Sequence, residues 1–497
     1  MTTRYLTKSR FKMGLECPTK LHFTGKREFA NIQANDAFLQ TLADGGFQVG
    51  ELAKLMHPGA IEVTETGHEE ALRRTEELLA LDEVTIFEAA FRYDNLFIRI
   101  DILRKRGDQL ELIEVKAKSY AAAEGFTGAS GKIRSGILPY LQDLAFQVFV
   151  LRSACPQYRV SAFLLMADKA ARTTVDGLNQ RFKIIRADAR HYVETAPGMD
   201  SATLGAPLLA QVPVDDLVDR IIGSPVRFPG GELSFADTVS HFARHYAQDR
   251  KVDPVLGAHC GKCEFRTAIP GPASGFHTCW KQVARWSDSD FAAGTVLDLW
   301  NFRGKDLLIS RGIFALSQVT AEDLNIVEGN GRLSRSERQW MQVSGQWPGG
   351  GSHYLDRDGL CAASAGWRYP LHFIDFETSR TAIPFHAGRR PYEQVAFQFS
   401  HHIMFEDGTV QHAGQFLEAT PGVFPNYAFV RELRRQLGND NGTVLRWATH
   451  ENSVLRDIFE QLDTDPEGPA DKAALQEFIQ DITTDSKRIG RSSMVDL

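Results

Sequence analysis

Residues 84–118 read VTIFEAAFRY, then Asp94-Asn95, then LFIRIDILRK, then Arg106-Gly107-Asp108, then QLELIEVKAK. Within each run the side chains alternate with a period of two, and turn-forming residues separate the runs. The stretch predicts a three-stranded antiparallel meander. On the middle strand Phe97, Arg99, Asp101 and Leu103 share a face; on the next, Glu114, Lys116 and Lys118 do. A short hairpin joins the two strands, so Asp101 is expected beside the Glu114/Lys116 pair, and Glu88 on the preceding strand can add a carboxylate.

Paired carboxylates bind hard divalent cations through oxygen, as Mg²⁺ and Mn²⁺ prefer. An ion held there would activate a water and neutralise a phosphate. A lysine beside it would orient the nucleophile or stabilise the charge of the transition state. The bland alternative is an exposed strand pair with alternating charges. Against it, Glu114 follows Leu112-Ile113 and Asp101 lies inside IRIDIL. Burying charges in strand cores without a use costs free energy.

Working outward, LPYLQDLAFQVFVLR (138–152) predicts a helix with Asp143 and Gln147 one turn apart, and SAFLLMAD (161–168) a further strand. D-(x)₁₂-E-V-K followed by a helix carrying Tyr140, Asp143 and Gln147 resembles the RecB-type PD-(D/E)XK nucleases. In that family a Q-x-x-x-Y-like motif on this helix supports the active site; Asp143 and Gln147 hold its positions with different residue types. The resemblance implies an α/β fold with a restriction-endonuclease-like core, and Asp101, Glu114, Lys116 and Gln147 as catalytic residues. Ile100 stands where the family often has proline. Upstream, the family's metal-binding His of a G-x-x-H-E-like helix has no counterpart: FQVGELA offers Gly50, then Glu51. Either Glu51 supplies that ligand or the metal site is one ligand poorer; Glu51 and Glu88 are the expected additional ligands beside Asp101 and Glu114.

Six cysteines in a 497-residue chain do not suggest a disulfide framework. Cys155 and Cys361 stand alone and read as structural thiols. Cys17, Cys260, Cys263 and Cys279 resemble the subfamily of RecB-like nucleases with an iron–sulfur cluster, found in CRISPR-adaptation exonucleases and AddB-type nucleases. There one cysteine precedes the core and three follow, stapling the ends of the domain. S-R-F-K-x-G-L-x-C-P and H-C-x-x-C-E-F-R with a later T-C-W carry the likeness, which implies a [4Fe-4S] cluster in a helical subdomain. Zinc takes the same four thiolates, and His259 and His277 flank them, so a zinc site stays open.

Residues 36–56, 190–255 and 286–343 read as largely helical, and WPGGGSHYLDRDG (347–359) is a breaker-rich junction. Beyond it LHFIDFET (371–378) opens a second α/β pattern. An apolar strand ending in Asp375 and Glu377, with Glu451 in W-A-T-H-E-N after a later strand, resembles the DnaQ-like 3′–5′ exonucleases of the RNase H fold. The chain stops at M-V-D-L, before the family's third motif, so a partial RNase H-like domain is expected. The resulting division is 1–285 (nuclease with iron–sulfur cluster), 286–365 (helical connector) and 366–497 (exonuclease-like). GASGKI (128–133) mimics a phosphate loop, but its first glycine is misplaced and Ile133 replaces Ser/Thr.

Net charge is −7, which gives no global pull toward polyanions. Local basic clusters do exist: Arg4, Lys8, Arg10, Lys12, Lys20, Lys26 and Arg27; Arg104–Arg106; Lys132 and Arg134. No signal peptide or bilayer-length apolar run is visible, so the cytoplasm is expected, without membrane partners. The expected activity is metal-dependent hydrolysis of DNA, as single strands or ends, in repair or defence. Two alternatives are carried: a nucleic-acid-binding subunit working with a protein partner in a larger complex, and an RNA-directed 3′–5′ exonuclease acting through the C-terminal acids.

Overall fold

The computed structural model describes residues 4–34, 36–187, 190–269, 271–347, 353–486 and 488–497, so part of the glycine-rich junction, 348–352, lies outside the described residues. Helices α1 (Lys8–Glu16) and α2 (Lys20–Phe23) break at Cys17-Pro18, where proline cannot continue a helix. Then come α3 (Ala37–Leu55), β1 (Ile61–Glu62) and α4 (His68–Leu79). The meander is β2 (Glu83–Tyr93), β3 (Leu96–Arg106) and β4 (Gln109–Tyr120), antiparallel throughout. Helix α5 (Leu138–Ala154) crosses over, and β5 (Arg159–Asp168) returns parallel to β4. Apolar residues cover α5 on nearly all sides, which is why it lies inside the core rather than on it.

The chain after β5 departs from the expected helical reading. It forms a hairpin of β6 (Phe182–Ala187) and β7 (Arg190–Thr195), and then β8 (Leu209–Pro213), which extends the main sheet to the order β1-β2-β3-β4-β5-β8. FKIIRA and RHYVET do not alternate cleanly, and their strand signal is the β-branched and aromatic pairs Ile184-Ile185 and Tyr192-Val193. Only α6 (Asp215–Ile222) and α7 (Phe235–Ala247) keep the helical period; between them lies a small hairpin, β9 (Val226–Phe228) and β10 (Gly231–Leu233). Next come α8 (Gly275–Ala284) and the short helices α9 (Asp288–Ala292), α10 (Lys305–Ser310), α11 (Ala321–Leu324), α12 (Arg335–Ser344) and α13 (Arg357–Ser364). One apolar core unites Cys260, Trp280, Val296, Leu308 and Leu324, so the cysteine region and the connector pack as one body.

The C-terminal sheet contains β11 (Leu371–Ser379), β12 (Val395–Met404), β13 (Val410–Leu417), β14 (Val444–Arg446) and β15 (Val495–Asp496), with α14 (Asn426–Leu437), α15 (His450–Thr464) and α16 (Lys472–Ile482). Its order is β13-β12-β11-β14-β15. β12 runs antiparallel to both neighbours, whereas β11, β14 and β15 are parallel. The segment 380–394, between β11 and β12, docks on the N-terminal sheet. Ile383 is buried in one cluster with Val49 and Leu52 of α3. Backbone bonds cross the junction from Thr173 N to Arg389 O (3.0 Å), from Gly388 N to Thr173 O (2.8 Å) and from Gly177 N to Phe385 O (2.8 Å). The whole is a mixed α/β architecture, and among the described residues no helix is long and apolar enough to cross a membrane.

Candidate active site and cysteine centre

Strands β3 and β4 pair from the Arg106/Gln109 turn up to Ile102 and Ile113, and the ladder goes no further. Beyond that point the strands part, and the fork is filled by side chains. Asp101 Oδ2 accepts the Val115 N–H at 2.8 Å, so a carboxylate does the work of a ladder carbonyl. On the other edge, β2 pairs with β3 at Phe87/Ile102 and Ala89/Ile100 but skips Glu88. Glu88 has φ +57°, a left-handed backbone that is strained for a residue with a Cβ.

Glu114, fully buried, is the hub. Its Oε1 accepts from Lys116 Nζ at 2.6 Å and from Lys8 Nζ at 2.9 Å, and its Oε2 accepts from Gln147 Nε2 at 2.7 Å. Lys8 Nζ also reaches Asp101 Oδ1 at 3.2 Å, and Lys116 Nζ reaches Asp143 Oδ2 at 3.0 Å. The Tyr140 ring lies 5.9 Å from Lys116 Nζ. Asp143 and Gln147 thus both act on the E-x-K strand from consecutive turns of α5.

Burial alone would raise the Glu114 pKa, but the Lys8 and Lys116 ammoniums and their bonds hold it well below the usual range. Asp101 goes the other way: burial and the neighbouring Glu114 charge push it up against the pull of the two lysines. Asp143 is raised by burial and by Glu114. For Lys116, burial is outweighed by Glu114 and Asp143, so its proton is held more tightly than in water. Neighbouring carboxylates of opposed proton affinity in one cleft mark it as a candidate functional site.

Glu51 and Glu88 line the same cleft, of about 480 Å³, together with Lys8, Asp101, Glu114 and Lys116. They are spread along its wall: Glu51 pairs with Lys54 at 2.8 Å, and Glu88 faces Arg99 at 3.9 Å. Among the described residues no three His, Cys, Asp or Glu side chains are gathered as a single-ion site. Asp101 and Glu114 are the two acids of this cleft that one group, the Lys8 ammonium, bridges.

Four members of the N-terminal basic cluster are ion-paired, while Lys12 and Arg27 are exposed. Lys8 turns onto the acids, Lys20 is buried between Glu16 (2.9 Å) and Glu264 (2.6 Å), and Arg4 and Lys26 pair with Asp249. Lys8 is the functional residue that spacing missed, since 93 positions separate it from Asp101. The available signal was Cys17, whose expected link to the distant trio already required this segment to lie across the core.

Cys17, at the end of α1, Cys260 and Cys263, in and after a 3₁₀ turn (Ala258–Lys262), and Cys279 on α8 line one small pocket. Phe23 and Phe265 pack with ring centroids 5.6 Å apart, and Gly275 gives the room: a Cβ there would lie 2.8 Å from the Phe23 ring. All four thiols are free. Burial and neighbouring thiols push Cys260 up to about 11 and Cys263 and Cys279 up to about 12. The four thiols line this one pocket, and burial keeps Cys260, Cys263 and Cys279 protonated there, although among the described residues no three Cys, His, Asp or Glu side chains are gathered as a single-ion site. The fully buried Trp280 indole N–H lies beside the Cys260 thiol. Of the flanking histidines, His259 Nε2 is 3.6 Å from Cys260 Sγ, whereas His277 is stacked on Phe291. Cys361 is exposed rather than structural, and Cys155 is half-buried.

In the C-terminal sheet Asp375 and Glu377 share the exposed face of β11, opposite the buried Ile374 and Phe376. Glu451, in the first turn of α15, is 3 % exposed, and its Oε2 is buried without a partner. Its pKa is raised by burial and, with the opposite help of its own backbone N–H and His450, by the nearby Asp375 charge. Asp496 on β15 accepts from Ala448 N at 3.1 Å and faces Arg446 at 3.3 Å. These acids lie at the C-terminal ends of parallel strands.

Residues 372–497 match a family profile described as a domain of unknown function (DUF2779). This span takes in the second sheet from within β11 to β15, with all four of its acids. No curated protein and no solved structure matches the chain.

Proposed function

We propose that the chain is a metal-dependent nuclease that hydrolyses DNA phosphodiester bonds in single strands or at ends. In this reading residues 1–285 form a restriction-endonuclease-like core, and Cys17, Cys260, Cys263 and Cys279 hold a [4Fe-4S] cluster. The observation that carries it is the convergence of Asp101, Glu114, Lys116 and Gln147, from two strands and one helix, on a single hydrogen-bonded set at an open strand fork. A meander followed by a crossover helix and a parallel strand supports the fold assignment. Mg²⁺ or Mn²⁺, when bound, would supply an activated water and charge neutralisation at phosphorus.

The protein's share is positioning. Asp101 and Glu114 present oxygens, and Gln147 fixes the direction of Glu114. Lys116, braced by Asp143, keeps its proton and faces the negative charge that grows on the phosphate. Labelled single-stranded DNA with Mn²⁺ tests this: Lys116→Ala is expected to abolish cleavage while the protein stays folded. No cleavage by the wild-type protein would instead favour the binding-subunit reading.

A second reading rests on Glu451. An orphaned buried carboxylate oxygen beside Asp375 is a group waiting for a cation. The 3-2-1-4-5 strand order, with the second strand reversed, supports an RNase H-like fold for 366–497 and an RNA-directed 3′–5′ exonuclease there. Cleavage of RNA that survives Lys116→Ala and is lost in Glu451→Gln would assign the activity to this domain.

A further inference from the structure

Lys8 is held in place by construction. Leu6 bridges to the sheet through Leu6 N to Asn95 O (2.8 Å) and Phe97 N to Leu6 O (3.1 Å). One turn into α1, the fully buried Phe11 stacks on Phe146 of α5 at 4.9 Å and packs on Phe235 and Phe242. Gly14 lies so close to Phe242 that a Cβ would clash with it at 2.6 Å. Helix α1 is thereby clamped to the helix that carries Asp143 and Gln147. The first residue of α1 then projects its ammonium between Asp101 and Glu114, touching both oxygens of Glu114 (2.9 and 3.2 Å) and Oδ1 of Asp101 (3.2 Å).

Those three oxygens are the ones a divalent ion would need. An ammonium with its three donors so engaged and an ion bound to the same oxygens exclude each other. The cluster as it stands has three carboxylates, Asp101, Glu114 and Asp143, against two ammoniums, so it is nearly neutral without an ion. Lys8 also lines the 480 Å³ cleft, and its side chain is a quarter exposed, so a released ammonium has the cleft to move into.

Resting on the nuclease reading, we propose that Lys8 is a built-in counter-cation of the acid pair. It yields its oxygens to the divalent ion and then binds the substrate phosphate from the cleft. Two consequences follow. Ion binding is weakened by competition with a tethered cation, so the site stays latent at low ion concentration. Once an ion is bound, the cleft gains a positive charge one side chain away from it, where a phosphate is held.

The test compares full-length wild-type protein with Lys8→Met and Lys8→Gln, measuring Mn²⁺ binding by electron paramagnetic resonance and cleavage of single-stranded DNA at saturating Mn²⁺. Circular dichroism verifies folding, and the glutamine variant serves if the methionine variant does not fold. Mn²⁺ affinity at least tenfold tighter, with cleavage at least tenfold slower, is the expected pair of results. Unchanged affinity would overturn the competition. Tighter binding with an undiminished rate would overturn the phosphate role. If the wild-type and both Lys8 variants neither bind Mn²⁺ nor cleave, it is the underlying nuclease reading that fails.

Discussion

Tyr392→Phe isolates one hydroxyl on which the two halves of the molecule meet. Between Lys116 and Ser119 the register of β4 against β5 shifts, because extra residues are accommodated there. The carbonyl of Ala117 is caught instead by the Tyr392 hydroxyl, which donates to it at 2.5 Å. Tyr392 belongs to the 380–394 segment and holds φ +61°, a conformation the docked loop imposes. Burial, with a contribution from Tyr140, pushes its phenol pKa up to about 12, so it stays a donor at any working pH. The C-terminal domain therefore ties down the backbone one residue from the candidate catalytic lysine.

Removing the hydroxyl while keeping the ring deletes one hydrogen bond, worth about 1 kcal/mol net. Ala117 is half-buried, so water can reach part of the freed carbonyl and the larger cost of a fully buried orphan does not apply. At 1.4 kcal/mol per tenfold, the bond corresponds to about a fivefold bias toward the docked, ordered strand. The expected result in urea unfolding followed by tryptophan fluorescence is a lower midpoint at unchanged slope, equivalent to about 1 kcal/mol. Single-turnover cleavage should slow by at most about fivefold on the same estimate, with Mn²⁺ affinity unaltered, because Asp101 and Glu114 are untouched. A variant matching wild type in both midpoint and rate would refute the idea that docking positions this strand.

On the proposed cluster reading, wild-type protein should carry iron and acid-labile sulfide and Cys260→Ser should lose them and melt at a lower temperature, since the pocket joins the first helices to residues 256–284; metal analysis with thermal melting checks it. Glu451→Gln should raise the melting temperature in chelator at pH 7, because the variant no longer buries an unpartnered charge; a fall would mean that the carboxylate is compensated. Asp465 is the pH case. Burial would raise its pKa, but Tyr427 and Arg389, the latter at 2.6 Å, hold it below the ordinary value. A depressed folded pKa contributes stability above the unfolded value of about 4, lost as pH falls through the folded one. Asp465→Asn should therefore be less stable than wild type at pH 7, with the gap closing in acid, as read from urea midpoints at both pH values.

What could be read from the chain and what could not divide along one physical line. The meander, α5 and the strands of the second sheet are legible because period and turn residues are local signals. Asp101, Glu114 and Lys116 follow from them by alternation across a hairpin, and Gln147 by one helical turn. Residues 190–195 and 209–213, read as helical, are strands, because short runs whose polar positions carry Arg, His, Glu and Gln suit either state and have no clean period to decide between them. Lys8 and Tyr392 obey no spacing at all. Each reaches the site from an element brought there by packing far along the chain, Phe11 on Phe146 in one case and Ile383 on Val49 and Leu52 in the other.

That difference bears on how the site is held. Residues found by alternation sit on β3 and β4 and would keep their relation in any molecule that forms the hairpin. Lys8 and Tyr392 keep theirs only while α1 stays clamped and the 380–394 segment stays docked. Helix α1 runs directly into Cys17, so the clamp on Lys8 and the cysteine pocket share one rigid element nine residues long. Any change at the four cysteines that shifts the end of α1 is transmitted along it to the ammonium between Asp101 and Glu114. If that placement matters, Cys260→Ser should change Mn²⁺ affinity in the same sense as Lys8→Met, and an unchanged affinity would show the two places to be independent.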